Sequence, residues 1–139
     1  MLNKMLVAND GSPGGEKALA YALELAGRLK IGVTMICVED IPLRPPSVSG
    51  VEEAHADEES AFDNVVASAK DLAETYGVKL HAHVVPGHPF PSVVEFVRKN
   101  GYDLLVVGFM GHSALYNRLI GSTAERLVEH APCTVMVVK

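Results

Sequence analysis

The sequence predicts a single-domain α/β fold in which five parallel strands form an open sheet with helices on both faces. A chain of 139 residues is long enough for one domain whose core needs neither a metal nor a disulfide. Short apolar runs alternate with stretches of helical periodicity, in the order β-α-β-α-β-α-β-α-β. Since each connection is a helix that returns to the same sheet, we expect right-handed crossovers and parallel strands.

The predicted strands are the apolar runs of the chain. They occupy residues 5–8, 33–38, 79–85, 104–107 and 134–138. Most are nearly continuous in apolar residues, which is typical of parallel strands buried on both faces. The third run alternates between apolar and polar residues, and we expect it to be more exposed than the others.

The predicted helices lie between these runs. Apolar residues recur at helical spacing over residues 17–29 and 62–76, a shorter helix covers residues 92–99, and the last helix starts near Ser122. Gly77 and Gly101 follow the second and third helices, where a glycine commonly ends a helix. The proline-rich stretch 41–46, which precedes an acidic patch, is interpreted as an irregular loop.

Composition and charge exclude several classes of function. A net charge of -5 gives no basic face for nucleic acid. No apolar run is long enough to cross a bilayer, and the first residues lead directly into a strand without the layout of a signal peptide. Two cysteines do not make a disulfide framework, so we expect a cytoplasmic protein with neither a nucleic-acid nor a membrane partner.

A glycine-rich segment joins the fourth strand to the last helix. Gly108 and Gly111 follow the strand, and Gly121 comes nine residues later, directly before Ser122 and Thr123. Glycine lets a backbone approach an anion closely, and the free N–H groups of a helix's first turn attract phosphate. Because Asp10 ends the first strand at the same edge of the sheet, we predict one nucleotide-phosphate site built from both loops.

Three segments carry a resemblance to a known family. The spacing G-x2-G-x9-G-S/T is present without error, residues 6–12 precede an alanine-rich helix, and residues 121–127 precede Ala131-Pro132-Cys133. In these features the chain resembles the ATP-binding members of the universal stress protein family over essentially its whole length, residues 1–139. The resemblance implies a Rossmann-like three-layer sheet with strand order 3-2-1-4-5, and a homodimer formed through Thr134–Val138.

The resemblance also implies a set of binding residues. Ala8 and the backbone of Val38 would flank an adenine, Asp10 would lie at the ribose or the metal-phosphate region, and the glycines would pass close to ribose and phosphate. The ligand implied is ATP or AMP, with Mg²⁺. The full predicted set is Ala8, Asn9, Asp10, Val38, Gly108, Met110, Gly111, His112, Gly121, Ser122 and Thr123.

Two of these residues have a purely structural alternative. Ser122-x-x-Glu125 fits a capping box, in which the serine caps its own helix. Asp10 precedes a glycine and fits ordinary turn chemistry. We favour phosphate binding for Ser122, because a plain helix start does not need three glycines, and a ligand role for Asp10, because of its place at the end of a strand.

Other chemistries fit the sequence less well. Gly111-His112-Ser113 begins a nucleophile elbow, but Leu115 stands where its last glycine is needed. No spacing of a P-loop or a dinucleotide fingerprint is present. His81 and His83, with His88 nearby, fit a metal site or, as we favour, the solvent side of an edge strand. Cys37 and Cys133, assigned to strands two and five, are too far apart for a disulfide.

The sequence thus predicts a nucleotide-dependent sensor or regulator in the stress response. No convincing general base for an attacking water is evident, so we expect ATP hydrolysis to be slow or absent. Two alternatives stay open from the sequence alone, namely a weak ATPase or nucleotide hydrolase and a nucleotide-free dimeric interaction module.

Overall fold

The computed structural model describes residues 2–40, 51–109 and 120–139, and the strands of these ranges form one parallel sheet. The strand order is β3-β2-β1-β4-β5. The elements are β1 Met5–Ala8, α1 Pro13–Leu29, β2 Val33–Glu39, α2 Val51–Tyr76, β3 Leu80–Pro86, α3 Pro89–Asn100, β4 Leu104–Gly108, α4 Ser122–His130 and β5 Thr134–Val138. The predicted α/β class, element order and strand order are confirmed.

Three helices begin earlier than apolar periodicity predicts. The first helix starts at Pro13, because the Ser12 hydroxyl accepts a hydrogen bond from Gly15 N at 3.1 Å and a proline is well suited to the first helical position. A proline, Pro89, also opens α3. The second helix starts at Val51, so the acidic patch is helical, while the predicted loop 41–46 lies outside the described residues.

The core consists of two layers of side chains, one on each face of the sheet. On one face Val7 and Met35 pack with Leu23 of α1 and with residues of α2. On the other face Ile36 packs against α3 and Leu127 of α4. Because alternate residues of the strands enter opposite layers, the central strands are buried on both sides, as their continuous apolar sequences predict.

The edges of the sheet differ from its centre as expected. On β3 the side chains of His81 and His83 are exposed. The cysteines are both free, Cys37 buried on β2 and Cys133 half-buried. Cys133 lies just before β5 and not on it, which corrects its assignment to the fifth strand. Within ranges 2–40, 51–109 and 120–139, no helix combines the length and the apolar character that a membrane span needs.

One close backbone contact positions α1 against the sheet. A Cβ atom at Gly108, the last residue of β4, would lie 2.6 Å from the carbonyl carbon and oxygen of Gly14 and 3.1 Å from the N of Gly15. No side chain fits at such distances, so the start of α1 rests directly on the end of β4. Gly108 therefore has a packing role within the chain itself.

We expect Gly108→Ala to lower the free energy of unfolding by about 1–3 kcal/mol, because the methyl group forces α1 away from β4. Urea denaturation followed by circular dichroism measures this change. Gly27→Ala is the matched control: its Cβ meets only Tyr76 O at 3.4 Å and Val78 Cγ2 at 3.6 Å. Within α1 that alanine should stabilise the protein by up to about 1 kcal/mol. Equal stability of Gly108→Ala and the native chain would contradict the packing role.

Candidate functional site

A cleft of about 460 Å³ opens at the carboxyl edge of the sheet, where β1 and β4 lie side by side. The chain winds in opposite directions from these two strands, and ligands of open α/β sheets bind at such a point. The described residues that line the cleft are Ala8, Asn9, Asp10, Ser12, Gly15, Ile36, Val38, Asp40, Phe62, Pro89, Val93, Val107, Gly108, Gly121, Ser122, Thr123, Ala124 and Leu127.

The structure brings most of the predicted binding residues to this cleft. Those that line it are Ala8, Asn9, Asp10, Val38, Gly108, Gly121, Ser122 and Thr123. The other three, Met110, Gly111 and His112, lie outside the described residues. The ends of β1, β2 and β4 and the start of α4 therefore meet at one place, although they are far apart along the chain.

The side chain of Asn9 shapes the loop after β1. Its Oδ1 accepts a hydrogen bond from Gly11 N at 2.9 Å, and its Nδ2 lies 3.6 Å from Met35 Sδ. The residue is only 2% exposed, and its backbone N donates to Ile36 O at 3.0 Å. These contacts explain why a polar side chain is buried here, and they turn the chain sharply at the mouth of the cleft.

Asp10 is exposed and faces the cleft from the same loop. Its Oδ1 accepts hydrogen bonds from the backbone N of Ser12, at 3.0 Å, and from the Ser12 hydroxyl. The same serine caps α1, so the carboxylate and the helix start form one connected unit.

Gly15 allows this loop to lie close to α1. A Cβ atom at Gly15 would lie 2.5 Å from Asn9 Oδ1 and 2.8 Å from Asp10 Oδ1. Sequence reasoning missed Gly15, because this glycine is required by contacts with Asn9 and Asp10 that form only in the folded loop.

The start of α4 has no side-chain cap. The N-cap residue is Gly121, and the first helical hydrogen bond runs from Glu125 N to Gly121 O at 2.9 Å. The capping-box interpretation of Ser122 is therefore wrong, because Ser122 is already the first helical residue. The N–H groups of Ser122, Thr123 and Ala124 precede the first helical hydrogen bond, and all three residues line the cleft.

The opposite part of the cleft is apolar. Ala8, Ile36 and Val38 of the strands line one side of this part of the cleft, and Val93 of α3 and Leu127 of α4 line the other. A flat, weakly polar ring suits such a surface, and the polar groups at the two loops then orient the rest of the ligand.

The charges along the described lining are negative. Asp10 and Asp40 are its ionisable residues, and neither lysine nor arginine is among the described lining residues. Asp40 was not predicted, although its place directly after β2 is the same signal that singled out Asp10. His88 Nδ1 lies 4.0 Å from Asp40 Oδ1, and both side chains are exposed. An anionic ligand would therefore need compensating positive charge.

Cys37 lies on β2, next to Val38 of the cleft. Burial raises the pKa of the Cys37 thiol to about 12, with smaller contributions from the charges of Asp10 and Glu39. The thiol is therefore neutral at physiological pH and unsuited to act as a nucleophile. Across the described part of the chain, no three His, Cys, Asp or Glu residues are grouped as a metal site requires.

The structure is a doubly wound α/β protein of the Rossmann-like type, with a cleft at the switch point of the sheet. The chain belongs to the universal stress protein family, whose model matches residues 1–139.

Individual proteins agree with this assignment. The universal stress protein MJ0531 of Methanocaldococcus jannaschii is 33% identical over 141 residues, which cover 100% of this chain and 83% of that protein. The solved universal stress protein UspA from Lactobacillus plantarum matches with a TM-score of 0.90 at 22% identity, covering 100% of this chain and 99% of its own. A universal stress protein solved in complex with cAMP matches with a TM-score of 0.76 at 23% identity, covering 99% and 97%. At these identities the two structures show the common fold alone.

We expect native Cys37 to resist thiol reagents. With the pKa raised from 9.0 to about 12, its thiolate fraction at pH 8 is about a thousandfold below that of a free thiol. The measurement is labelling by 5,5′-dithiobis(2-nitrobenzoate) of Cys133→Ala, which keeps Cys37, against Cys37→Ala, which keeps the half-buried Cys133. Denaturant should make Cys37 react fully.

The raised pKa of Cys37 also makes the free energy of unfolding depend on pH. Between pH 9 and pH 12 the unfolded chain has lost the Cys37 proton while the native chain keeps it, so this contribution to stability is present below pH 9 and declines as the pH rises.

Rapid labelling of native Cys133→Ala at pH 8 would contradict the raised pKa.

Proposed function

We propose that the cleft binds an adenine nucleotide, ATP or AMP, together with Mg²⁺, and that the protein acts as a nucleotide-dependent sensor or regulator in the cytoplasm. The observation that carries this proposal is the start of α4, which lacks a side-chain cap and faces an apolar cleft across from Asp10. The cAMP bound by a protein of the same fold supports an adenine nucleotide as the class of ligand.

Each part of the ligand has a matching part of the cleft. The adenine would lie against Ala8 and Val38, where the surface is apolar. The phosphates would accept hydrogen bonds from the first N–H groups of α4, aided by the helix dipole. Asp10 would serve the ribose hydroxyls or the metal ion, since a carboxylate accepts hydrogen bonds and is a preferred ligand of Mg²⁺.

For Asn9 and Gly108 we propose roles that follow from their positions beside the cleft. Asn9 would hold the loop that carries Asp10, while Gly108 would let the end of β4 pass close to the ligand. Met110, Gly111 and His112 are proposed to complete the phosphate region.

The proposed role is binding and not turnover. The Asp10 carboxylate already accepts two hydrogen bonds from Ser12, which makes it a poor general base for an attacking water. Regulation would then arise from a difference in affinity between two conformations or assemblies of the protein, because a ligand shifts an equilibrium only by that difference.

The first test is mass spectrometry of the nucleotide released when the purified protein is denatured. Stoichiometric ATP or AMP would support the proposal and identify the ligand. Thermal shift with ATP, AMP and cAMP, each with and without Mg²⁺, extends the test to a protein purified without a ligand. If no nucleotide is released and none of the three raises the melting temperature, the binding proposal fails.

Gly121→Val tests the phosphate end of the cleft directly. The backbone of Gly121 has φ -61° and ψ 148°, which valine adopts without strain, so the variant should fold. Its side chain would fill the space before α4, and we expect ATP affinity to fall at least about tenfold, since charge-assisted hydrogen bonds are lost. Isothermal titration calorimetry measures the change, with Gly27→Ala as a control of unchanged affinity. Unaltered binding by folded Gly121→Val would refute phosphate binding at α4.

We further propose a homodimer formed through the edge strand β5, Thr134–Val138. An apolar edge strand whose outer backbone groups are unpaired is normally covered in the native assembly.

Thr134→Lys on β5 should convert this dimer to a monomer of 14.9 kDa, because Thr134 is exposed and a charge on an edge strand opposes pairing. Light scattering coupled to gel filtration measures the mass. Val84→Lys is the matched control, since it places the same charge on an exposed residue of the opposite edge strand β3. A native chain that runs as a monomer, or a dimer that survives Thr134→Lys, would argue against assembly through β5.

A further inference from the structure

Strand β2 extends beyond its neighbour β1 at the edge of the sheet where the cleft opens. The pairing of these two strands ends at Ala8 and Ile36, whereas β2 continues to Glu39 and pairs over its last residues with β3 alone. Gly87 N donates a hydrogen bond to Glu39 O at 2.9 Å, which fixes the backbone at the end of β2. The end of β2 is therefore held in place by β3 and is not paired with β1.

Asp40 follows directly on this end of β2 and lines the cleft. Alternate residues of a strand face the same side of the sheet, and Ile36, Val38 and Asp40 line the cleft at every second position. The surface against which the adenine is proposed to lie includes Val38, two residues before Asp40. Asp40 is thereby placed at the margin of the proposed base region.

The proposed phosphate region lies at the other end of the cleft. The start of α4 is joined to the residue after β4, since Gly121 N donates a hydrogen bond to Phe109 O at 2.8 Å. In the sheet β1 separates β2 from β4, so these two strands are about 10 Å apart, twice the spacing of neighbouring strands. A nucleotide whose phosphates bind at α4 therefore extends its base toward β2, and the negative charge of Asp40 disfavours the reverse orientation.

The carboxylate of Asp40 is exposed and has unused hydrogen-bonding capacity. His88 Nδ1 lies 4.0 Å from Asp40 Oδ1, which is too long for a hydrogen bond. Within the described ranges, no donor forms a hydrogen bond with this carboxylate. Asp10, in contrast, accepts hydrogen bonds from the backbone N and the hydroxyl of Ser12. Of the two carboxylates that line the cleft, Asp40 is thus the one with more capacity to accept a hydrogen bond from a ligand.

We propose that Asp40 is a specificity-determining residue that makes the cleft prefer adenine over purines without an amino group at position 6. An ionised carboxylate only accepts hydrogen bonds, and the exocyclic amino group of adenine is a donor at the edge of the ring. The Asp40 carboxylate accepts a hydrogen bond from this amino group. The inference rests on the proposed nucleotide binding and deepens it, because it names the base that the cleft selects and the side chain that selects it.

The test compares two ligands that differ only at position 6 of the purine. Isothermal titration calorimetry measures the affinities for ATP and for purine riboside 5′-triphosphate, which carries a hydrogen in place of the amino group. The ribose and the phosphates are identical, so the ratio of the two affinities isolates the amino group. We expect the native protein to prefer ATP about ten- to a hundredfold, as for a hydrogen bond to a charged group.

Two substitutions of Asp40 complete the test. In Asp40→Ala the ratio should fall to within about twofold of one, because the acceptor is gone. Loss of the negative charge strengthens the binding of both triphosphates alike, and this effect cancels in the ratio. Asp40→Asn should keep part of the preference, because the amide oxygen still accepts a hydrogen bond but carries no charge.

Asp71→Ala is the matched control. Asp71 is an exposed residue of α2 that is not among the described lining residues of the cleft, and its substitution removes the same charge. The ratio should equal that of the native protein. Thermal denaturation of each variant verifies that it folds.

Three results would overturn the inference. The native protein binds the two triphosphates equally, folded Asp40→Ala keeps the native ratio, or Asp71→Ala lowers the ratio as much as Asp40→Ala does. A native protein that binds neither triphosphate defeats the proposed function itself, whereas equal binding of both leaves nucleotide binding intact and removes only the role of Asp40.

Discussion

The architecture of the site depends on the direct contact between the end of β4 and the start of α1. The Cβ position of Gly108 is 2.6 Å from the backbone of Gly14, so no other residue permits the helix to rest there. This contact places the loop that carries Asp10 beside the end of β4. The cleft exists because two loops that are about a hundred positions apart are held at one edge of the sheet.

At this edge of the sheet the start of α1 has a side-chain cap, whereas the start of α4 has none. Ser12 caps α1, and Pro13 removes one of the N–H groups that would otherwise need a partner. The N-cap of α4 is a glycine, which offers no side chain to its first turn. Consequently the positive end of α4 is directed at the cleft, while that of α1 is satisfied within the protein.

Much of this arrangement follows from the sequence because its signals are local. Apolar runs and helical stripes define the order of strands and helices, and the rule that ligands bind at a switch point brings Asp10 and Gly121 together. The features that sequence reasoning missed depend either on polar segments or on contacts that form only in the folded chain. Periodicity of apolar residues does not detect the polar first turns of α2, and Gly15 is explained only by its contact with Asn9 and Asp10. Whether a serine caps a helix depends on backbone angles, which explains why the sequence alone left the capping box open as an alternative for Ser122.

The glycines of the G-x2-G-x9-G-S/T motif differ in how strongly they indicate ligand binding. Gly108 is required by packing against α1, so it would be needed even in a protein that binds nothing. Gly121 has backbone angles that any residue adopts without strain, and the backbone geometry gives no reason for glycine. Gly121 lines the cleft directly before the three N–H groups at the start of α4, where a side chain would compete with a ligand for space. The case for a phosphate site therefore depends more on Gly121 than on the glycine at the end of β4, although both belong to the same motif.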